Sequence, residues 1–328
     1  MGLRKTPMIL QNRLNLQLAV FLWASLFLSG ASIAADEAPR VVASIAPVHG
    51  LVTRIMKGVG EPELLIKASV SPHGYNLKPS DVRLLNKAQV VFWIGPALEI
   101  TLVKPIKALA GQARIVSLMD DRDRGIDLLT RRKGGVFNED TSYDDGPQDP
   151  VNSDPHIWLN PQNAEAMLLQ IAEILAGVDP ANANQYLSNA LDGAQELEVL
   201  SRGIQKRLSD AKMAERTFIF FHDAYQYFEF RFGMYPGAVI QVDPDHAPGA
   251  RRVGEIRTII KHADQQSRDI CIYSEPQYNP KLIDVLIEGT QARHATLDPI
   301  GVGLQTGIDF YVNLMTVFVD DFIGCINP

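Results

Sequence analysis

A chain of 328 residues, 46% of them hydrophobic and 21% charged, has enough apolar material for two domains of ordinary size and is not the composition of a disordered polymer. Its formal net charge of −7, with no basic stripe, argues against nucleic acid as a partner and suits a cationic one.

The first 34 residues differ in kind from the rest. Arg4, Lys5 and Arg13 lead into the apolar run LAVFLWASLFLSG and the small-residue end ASIA. That is the pattern of a secretory signal peptide, cleaved after Ala34. The apolar run is shorter than the roughly 20 residues a spanning helix needs, and no cysteine stands at the cleavage site to take a lipid. The expected product is an exported, unanchored protein. Losing the three positive charges of that segment takes the formal charge from −7 to −10.

From Val41 the chain alternates short β-branched runs with helical stretches. VVASIA, ELLIKASV, QVVFWIG and ARIVSL are four strand candidates, with VHGLVTRIMKG and PSDVRLLNKA reading as helices between them, the second started by Ser80 or Asp81. Continuous apolar strands separated by helices predict a parallel sheet covered on both faces. Together these make an N-terminal α/β lobe over residues 40–180.

Residues 120–154 interrupt that pattern with Asp, Gly, Pro and Arg, and the part from Phe137 to Asp154 holds six acids and no base. It reads as an exposed loop, either a solvated insertion or a cation-attracting one. A long helical region then runs from Pro161 to about Lys212, broken only at GVDP. Its second part, residues 181–212, places Tyr186, Leu187, Leu191, Leu197, Leu200, Ile204 and Leu208 at mostly helical spacing. A helix of that length, about 45 Å at 1.5 Å per residue, can join two lobes.

After it, TFIFF, AVIQV, DICIYSE and ARHATLD supply four more strand candidates, forming a C-terminal lobe over residues 216–326. The predicted fold class is therefore α/β: two similar lobes, each a parallel four-stranded sheet with flanking helices, joined by one long rigid helix around a cleft. Cys271 and Cys325 are the only cysteines. An even pair in an exported chain predicts one disulfide, closing a loop of about 55 residues worth roughly 4 kcal/mol in the chain-entropy model. Thiolate metal ligation is the alternative, without a C-x-x-C spacing to support it.

In open α/β sheets ligands bind beyond the carboxyl ends of strands. His73 follows the second strand candidate, His156 lies between the acidic loop and the helix at Pro161, His222 follows TFIFF directly, and Asp298 follows the last strand. His49 stands just past the first strand. Three imidazoles and a carboxylate suit Zn²⁺, which takes about four ligands near 2.0–2.2 Å. Calcium asks for more oxygens, and manganese leans towards carboxylates. Taken singly, each has a plainer reading: an isolated histidine is more often a surface or capping residue, and Asp298 before Pro299 forms an ordinary turn. Asp223 can cap the helix after His222, and Tyr225, Tyr227, Phe228 and Phe230 read as the core of that helix. His246, His262 and His294 lack a strand-end setting and are expected to be structural or exposed.

SPHGYNLKPSDV, DPHIWLNP, FFHDAYQYFEFRFG, YSEPQYNP and TLDPIG, in that order, resemble the signature segments of metal-binding periplasmic solute-binding proteins of ABC importers. Within them the chain looks most like the zinc-uptake, ZnuA-like type, from Val41 to Cys325. The resemblance implies a periplasmic protein, monomeric, that binds Zn²⁺ as cargo in an inter-lobe cleft and hands it to an inner-membrane ABC permease, with no reaction catalysed. It implies His73, His156 and His222 as ligands, with Asp298 or water in the fourth place. Manganese-type relatives carry glutamate where this chain has His222. Pro72 removes the glutamate that neighbours the first histidine in some zinc-type members. The cysteines match positions that pair in that type. Many zinc-type members have a histidine-rich loop before DPHIW, whereas this chain has no histidine between His73 and His156. The rival readings are a manganese- or iron-binding member of the same group, a His₃–water zinc hydrolase with Glu275 as a conceivable base, and an envelope adhesin.

Overall fold

The computed structural model describes residue 2 and residues 37–120, 125–137, 150–211, 216–244 and 246–326. Apart from Gly2, the segment read as a signal peptide lies outside the described residues. So does residues 138–149, the middle of the acidic loop. Among the described residues no helix is long and apolar enough to cross a membrane.

All eight strand candidates become strands. In the first lobe they are β1 (Val41–Ala43), β2 (Glu63–Leu64), β3 (Val90–Trp93) and β4 (Arg114–Ser117), with helices α1 (Ala46–Ile55), α2 (Pro79–Lys87) and α3 (Val103–Leu109). The sheet is parallel throughout, in the order β2-β1-β3-β4. β2 is shorter than the run ELLIKASV, although Leu65 and Ile66 still donate to the carbonyls of Ala43 and Ser44. The second lobe has β5 (Thr217–His222), β6 (Ala238–Gln241), β7 (Ile270–Ser274) and β8 (Arg293–Thr296), parallel in the order β6-β5-β7-β8. Every residue of β1, β3 and β7 is buried, the consequence of helices on both faces of a parallel sheet.

The helical region divides at Pro180 into α4 (Pro161–Val178) and α5 (Ala183–Asp210). Proline cannot continue a helix from the preceding turn, and Asp179 pins the corner by accepting from Asn182 Nδ2 and Tyr186 OH, each at 2.8 Å. Where the two helices cross, a Cβ on Gly193 would meet Leu168 Cδ1 at 2.9 Å, so glycine allows the close approach. The 28 residues of α5 span about 42 Å. Near its start, Asn189 Nδ2 donates to the carbonyls of Ile55 and Lys57 in the first lobe. Further along, Ser201 and Arg207 engage Arg231 and Asp320 of the second. The buried stripe of α5 is Tyr186, Asn189, Ala190, Gly193, Leu197, Ser201, Ile204 and Leu208. Leu187 and Leu191, expected on that stripe, are exposed, because each stands one residue, about 100° around the helix, past a buried stripe residue, Tyr186 and Ala190.

The remaining helices are α6 (Gln226–Phe232), α7 (Ala250–Gln265), α8 (Lys281–Ile287) and α9 (Phe310–Ile326). The C-terminal α9 is a second tie between the lobes. Phe310 packs on Gly50 of α1, whereas Phe322 stacks on Tyr273 of β7 at 5.2 Å and Cys325 is disulfide-bonded to Cys271. One continuous core therefore runs through both lobes, with a smaller one behind the second sheet around Ile219, Ile256 and Ile272. Phe220, Tyr225, Tyr273, Phe318 and Phe322 fill the join. Such aromatic pairs contribute about 0.5–1.5 kcal/mol each beyond their buried area. Tyr225, Tyr227 and Phe228 of the expected helix core are buried, but Phe230 is 43% exposed and not part of it.

The described parts of residues 120–154 are exposed at Asp127, Arg131, Lys133, Val136 and Asn152, as expected of a loop, but not throughout. Ile126, Leu128, Leu129 and Phe137 are buried, as are Ser153 and Asp154. The polar composition of the segment conceals four apolar anchors spaced along it.

Candidate metal centre

Three imidazoles from separate parts of the chain converge in the cleft. His73 sits on the loop after β2. That loop is held by Tyr75, whose hydroxyl donates to Asp81 Oδ2 at 2.6 Å and whose carbonyl accepts from Thr101 Oγ1 at 2.6 Å. Asp81 does not begin α2 but sits one turn in, where Oδ2 accepts from Lys78 N at 2.7 Å. His156 precedes α4 by a single 3-10 turn, Ile157–Leu159. There Trp158 is fully buried and donates to Pro299 O at 2.8 Å across the cleft. His222 is the last residue of β5.

One ligand atom from each of these histidines lies within 4.8 Å of the others. His156 and His222 are buried and His73 is half-buried. Nε2 of His222 is 3.3 Å from Nε2 of His156. Two nitrogens held at 2.0–2.1 Å from one tetrahedral centre are separated by about 3.3–3.4 Å, so this spacing is that of one edge of a zinc site. The third ring stands 5.4 Å from His156 and 5.6 Å from His222 by centroids.

The far nitrogens explain why the near ones face inward. His222 Nδ1 is 2.5 Å from Glu275 Oε1, and His156 Nδ1 is 2.8 Å from Asp154 Oδ1. An ionised carboxylate only accepts, so each Nδ1 carries the proton and each Nε2 is left with its lone pair towards the centre. Glu275 and Asp154 are both 2% exposed. Their supporting role was not read from the sequence; the carboxylate two residues before His156 was the signal available, and Glu275 lies 53 residues from its partner. Glu275, conceivable in sequence as a hydrolytic base, has its carboxylate occupied in orienting His222.

Electrostatics divide the three rings. Burial pushes His73 and His156 well below the ordinary imidazole value, with the neighbouring histidines acting in the same direction. For His222 burial works downward and is the largest influence, but the carboxylates of Glu275, Asp223 and Asp154 together outweigh it and the net shift is upward. Asp154 is pushed up to about 6 by burial.

Asp298 is not brought into this group. Its Oδ1 accepts from Ile300 N at 2.9 Å and Gly301 N at 3.0 Å, and Oδ2 accepts from Val302 N. The carboxylate thus organises the turn after β8, with Gln277 Nε2 at 3.4 Å. Beside the histidines is a small space of about 10 Å³ lined by Pro72, His73, His156, Trp158, His222 and Tyr278 among others, about the size of one water. In front, a more open cavity of about 180 Å³ leads out past Ile100, Arg131, Asp223 and Asp243.

The other histidines stand apart from the group. His49 is buried in α1 with Nε2 3.0 Å from Pro62 O. His246 pairs with Asp243 at the surface, His262 contacts Gln266, and His294 contacts Ser274 Oγ. Asp223 does not cap α6 but is ion-paired with Arg132.

The chain matches the family model described as "ZnuA: Zinc-uptake complex component A periplasmic" over residues 41–325. It is 37% identical over 335 aligned positions to the high-affinity zinc uptake system protein ZnuA of Brucella suis biovar 1, covering 93% of this chain and 97% of that protein. It is 32% identical to the protein of the same name from Paracoccus denitrificans, covering 89% and 93%. Among solved structures, a crystal structure of ZnuA superposes with a TM-score of 0.71 at 23% identity, covering 88% of this chain and all of the other, a likeness that shows the shared fold. On a match that spans both sheets, both connecting helices and all three convergent histidines, the chain belongs to the ZnuA family of zinc-uptake complex components.

Proposed function

We propose that this protein captures Zn²⁺ in the periplasm and delivers it to an ABC-type permease, working as a monomer. The observation that carries the reading is the 3.3 Å approach of the two Nε2 atoms, each ring backed at Nδ1 by a carboxylate, with a third histidine beside them. Two nitrogens at that distance need a proton or a metal cation between them, and three converging imidazoles suit the metal. The names of the relatives at 37% and 32% identity, high-affinity zinc uptake proteins, support the same reading.

His73, His156 and His222 are the ligands in this proposal. Asp298 is not among the converged ligand atoms and its carboxylate serves the turn after β8, so we assign the fourth position to water. Zinc is cargo here, and a site closed by three neutral nitrogens and an exchangeable water suits capture followed by release. Metal analysis of protein purified without tags or chelators, compared with His222→Ala, tests the reading. Stoichiometric zinc in the parent and its loss in the variant support it; zinc retained by the variant overturns it.

A further inference from the structure

His156 and His222 reach one another by way of a strap. Residues 126–137 leave the first lobe and dock on the second. Leu129 N donates to Tyr227 OH at 3.0 Å, and Gln226 Nε2 donates to Thr130 O at 3.0 Å. Further out, Val239 N donates to Gly135 O and Phe137 N to Gly237 O, so the strap extends the second sheet beyond β6. The returning stretch pairs with the outgoing one, Asp154 N to Leu129 O at 2.8 Å, and Tyr227 OH donates to Asp154 O at 2.8 Å. Two residues later comes His156. A ligand that precedes the second lobe in sequence is therefore held by that lobe's surface.

One buried cation ties this strap to the element bearing the other ligand. The Arg132 guanidinium reaches both oxygens of Asp223, with Nε to Oδ2 at 3.3 Å and Nη2 to Oδ1. It also reaches both oxygens of Glu229, with Nη1 to Oε2 at 2.6 Å and Nη2 to Oε1 at 3.3 Å. Its carbon lies 4.0 Å from the centre of the Phe137 ring. The three side chains are 9%, 6% and 1% exposed. Asp223 is the residue after His222, and Glu229 is on α6, which also carries Tyr227. The other strap contacts to this lobe are made at Tyr227, Gln226, the β6 edge and Arg252 of α7, which donates to Gly135 O; this one grips the corner next to the ligand itself.

We propose that Arg132 is a positioning residue for the metal centre, fixing the strap that carries Asp154 and His156 against the corner that carries His222. It sets the spacing of two ligands without touching the metal. The inference rests on the zinc-binding reading above. Only a planar guanidinium can serve two carboxylates in bidentate fashion; an ammonium keeps the charge and loses the geometry. Arg132→Lys therefore separates position from charge, and Arg132→Met removes both, leaving two buried carboxylates facing one another.

The experiment compares zinc affinity, by competition with a chelator, and the visible absorption of the Co²⁺-loaded protein. It uses the parent, Arg132→Lys, Arg132→Met, and Arg202→Lys as a control in an exposed pair. The expected result for Arg132→Lys is a folded protein with zinc affinity lower by about tenfold, the lower end of what outer partners of a metal site cost, and altered Co²⁺ bands. The control should match the parent. A merely structural residue would lower the melting temperature and leave affinity and Co²⁺ spectrum unchanged, which overturns the inference. If both Arg132 variants fail to fold, Glu229→Gln is read in the same way, and parental affinity and spectrum in that variant overturn it. A parent that takes up no zinc brings down the zinc-binding reading itself, whereas a zinc-binding parent with an unaffected Arg132→Lys removes this inference alone.

Discussion

Nε2 of His222 faces Nε2 of His156 at 3.3 Å, and each ring is held from behind by a carboxylate, Glu275 at 2.5 Å and Asp154 at 2.8 Å. The ligands are thus aimed before the metal arrives. Removing either carboxylate frees a ring to adopt the other tautomer or to rotate. Glu275→Gln and Asp154→Asn should each lower zinc affinity by about 10- to 100-fold with the fold intact. Competition titration against a chelator of known affinity checks this, and unchanged affinity in both variants would show that the rings are oriented by packing alone.

Asp298→Asn separates two roles for one carboxylate. The amide retains one oxygen for the turn but loses its charge, so the N–H groups of Ile300, Gly301 and Val302 are less well served. We expect a destabilisation of about 1–2 kcal/mol, in the range of hydrogen bonds to charged acceptors, and zinc affinity within a few-fold of the parent. An affinity loss comparable to that of His222→Ala, read by the same titration, would place Asp298 among the ligands after all.

How much of this was legible in the sequence differs from element to element. The eight strands were, because β-branched and aromatic runs such as VVFW and ICIYS have few other uses between helices. The three histidines were legible as strand-end or helix-entry residues, while their meeting was implied by the family resemblance and not by spacing, since it depends on β5 and α4 being brought across a cleft. The strap was legible only in part because its polar composition outweighed Leu128, Leu129 and Phe137. Arg132 could not be distinguished from Arg131 or Lys133 without the two carboxylates it meets 91 and 97 residues away. Asp298 was found at the right place, after β8, while its hydrogen bonds to the following turn show in no pattern of residue types.

The Cys271–Cys325 disulfide ties the start of β7, beside Phe218, to the last turn of α9, whereas His222 and Glu275 stand at the opposite, carboxyl ends of β5 and β7. It should therefore support stability and not binding. Replacing both cysteines by serine is expected to cost up to about 4 kcal/mol by the chain-entropy model. At about 2–4 °C per kcal/mol for a domain of this size, that lowers the melting temperature by about 10 °C. Calorimetry measures the shift, and zinc affinity at 25 °C should stay within a few-fold of the parent. A large loss of affinity would mean that α9 transmits strain to the cleft.

Zinc binds neutral imidazole, so protons compete with it, and the three rings do not enter that competition together. Burial lowers all three, but at His222 the carboxylates of Glu275, foremost, and of Asp223 and Asp154 together more than reverse the effect, whereas His73 and His156 stay depressed. As pH falls, His222 is accordingly the first to take a proton, beginning above the ordinary imidazole value of about 6.5. Below that onset one proton must be displaced per zinc bound, so affinity should fall by about tenfold per pH unit. A steeper dependence follows only once the depressed values of His73 and His156 are passed. Glu275→Gln removes the foremost upward influence and should move the onset to lower pH, even as it weakens binding at neutral pH. Titrations at several values between about pH 8 and pH 5 decide the matter. Equal affinity across that range would mean that no imidazole holds the metal, and an onset unmoved by Glu275→Gln would mean that a group other than His222 governs it.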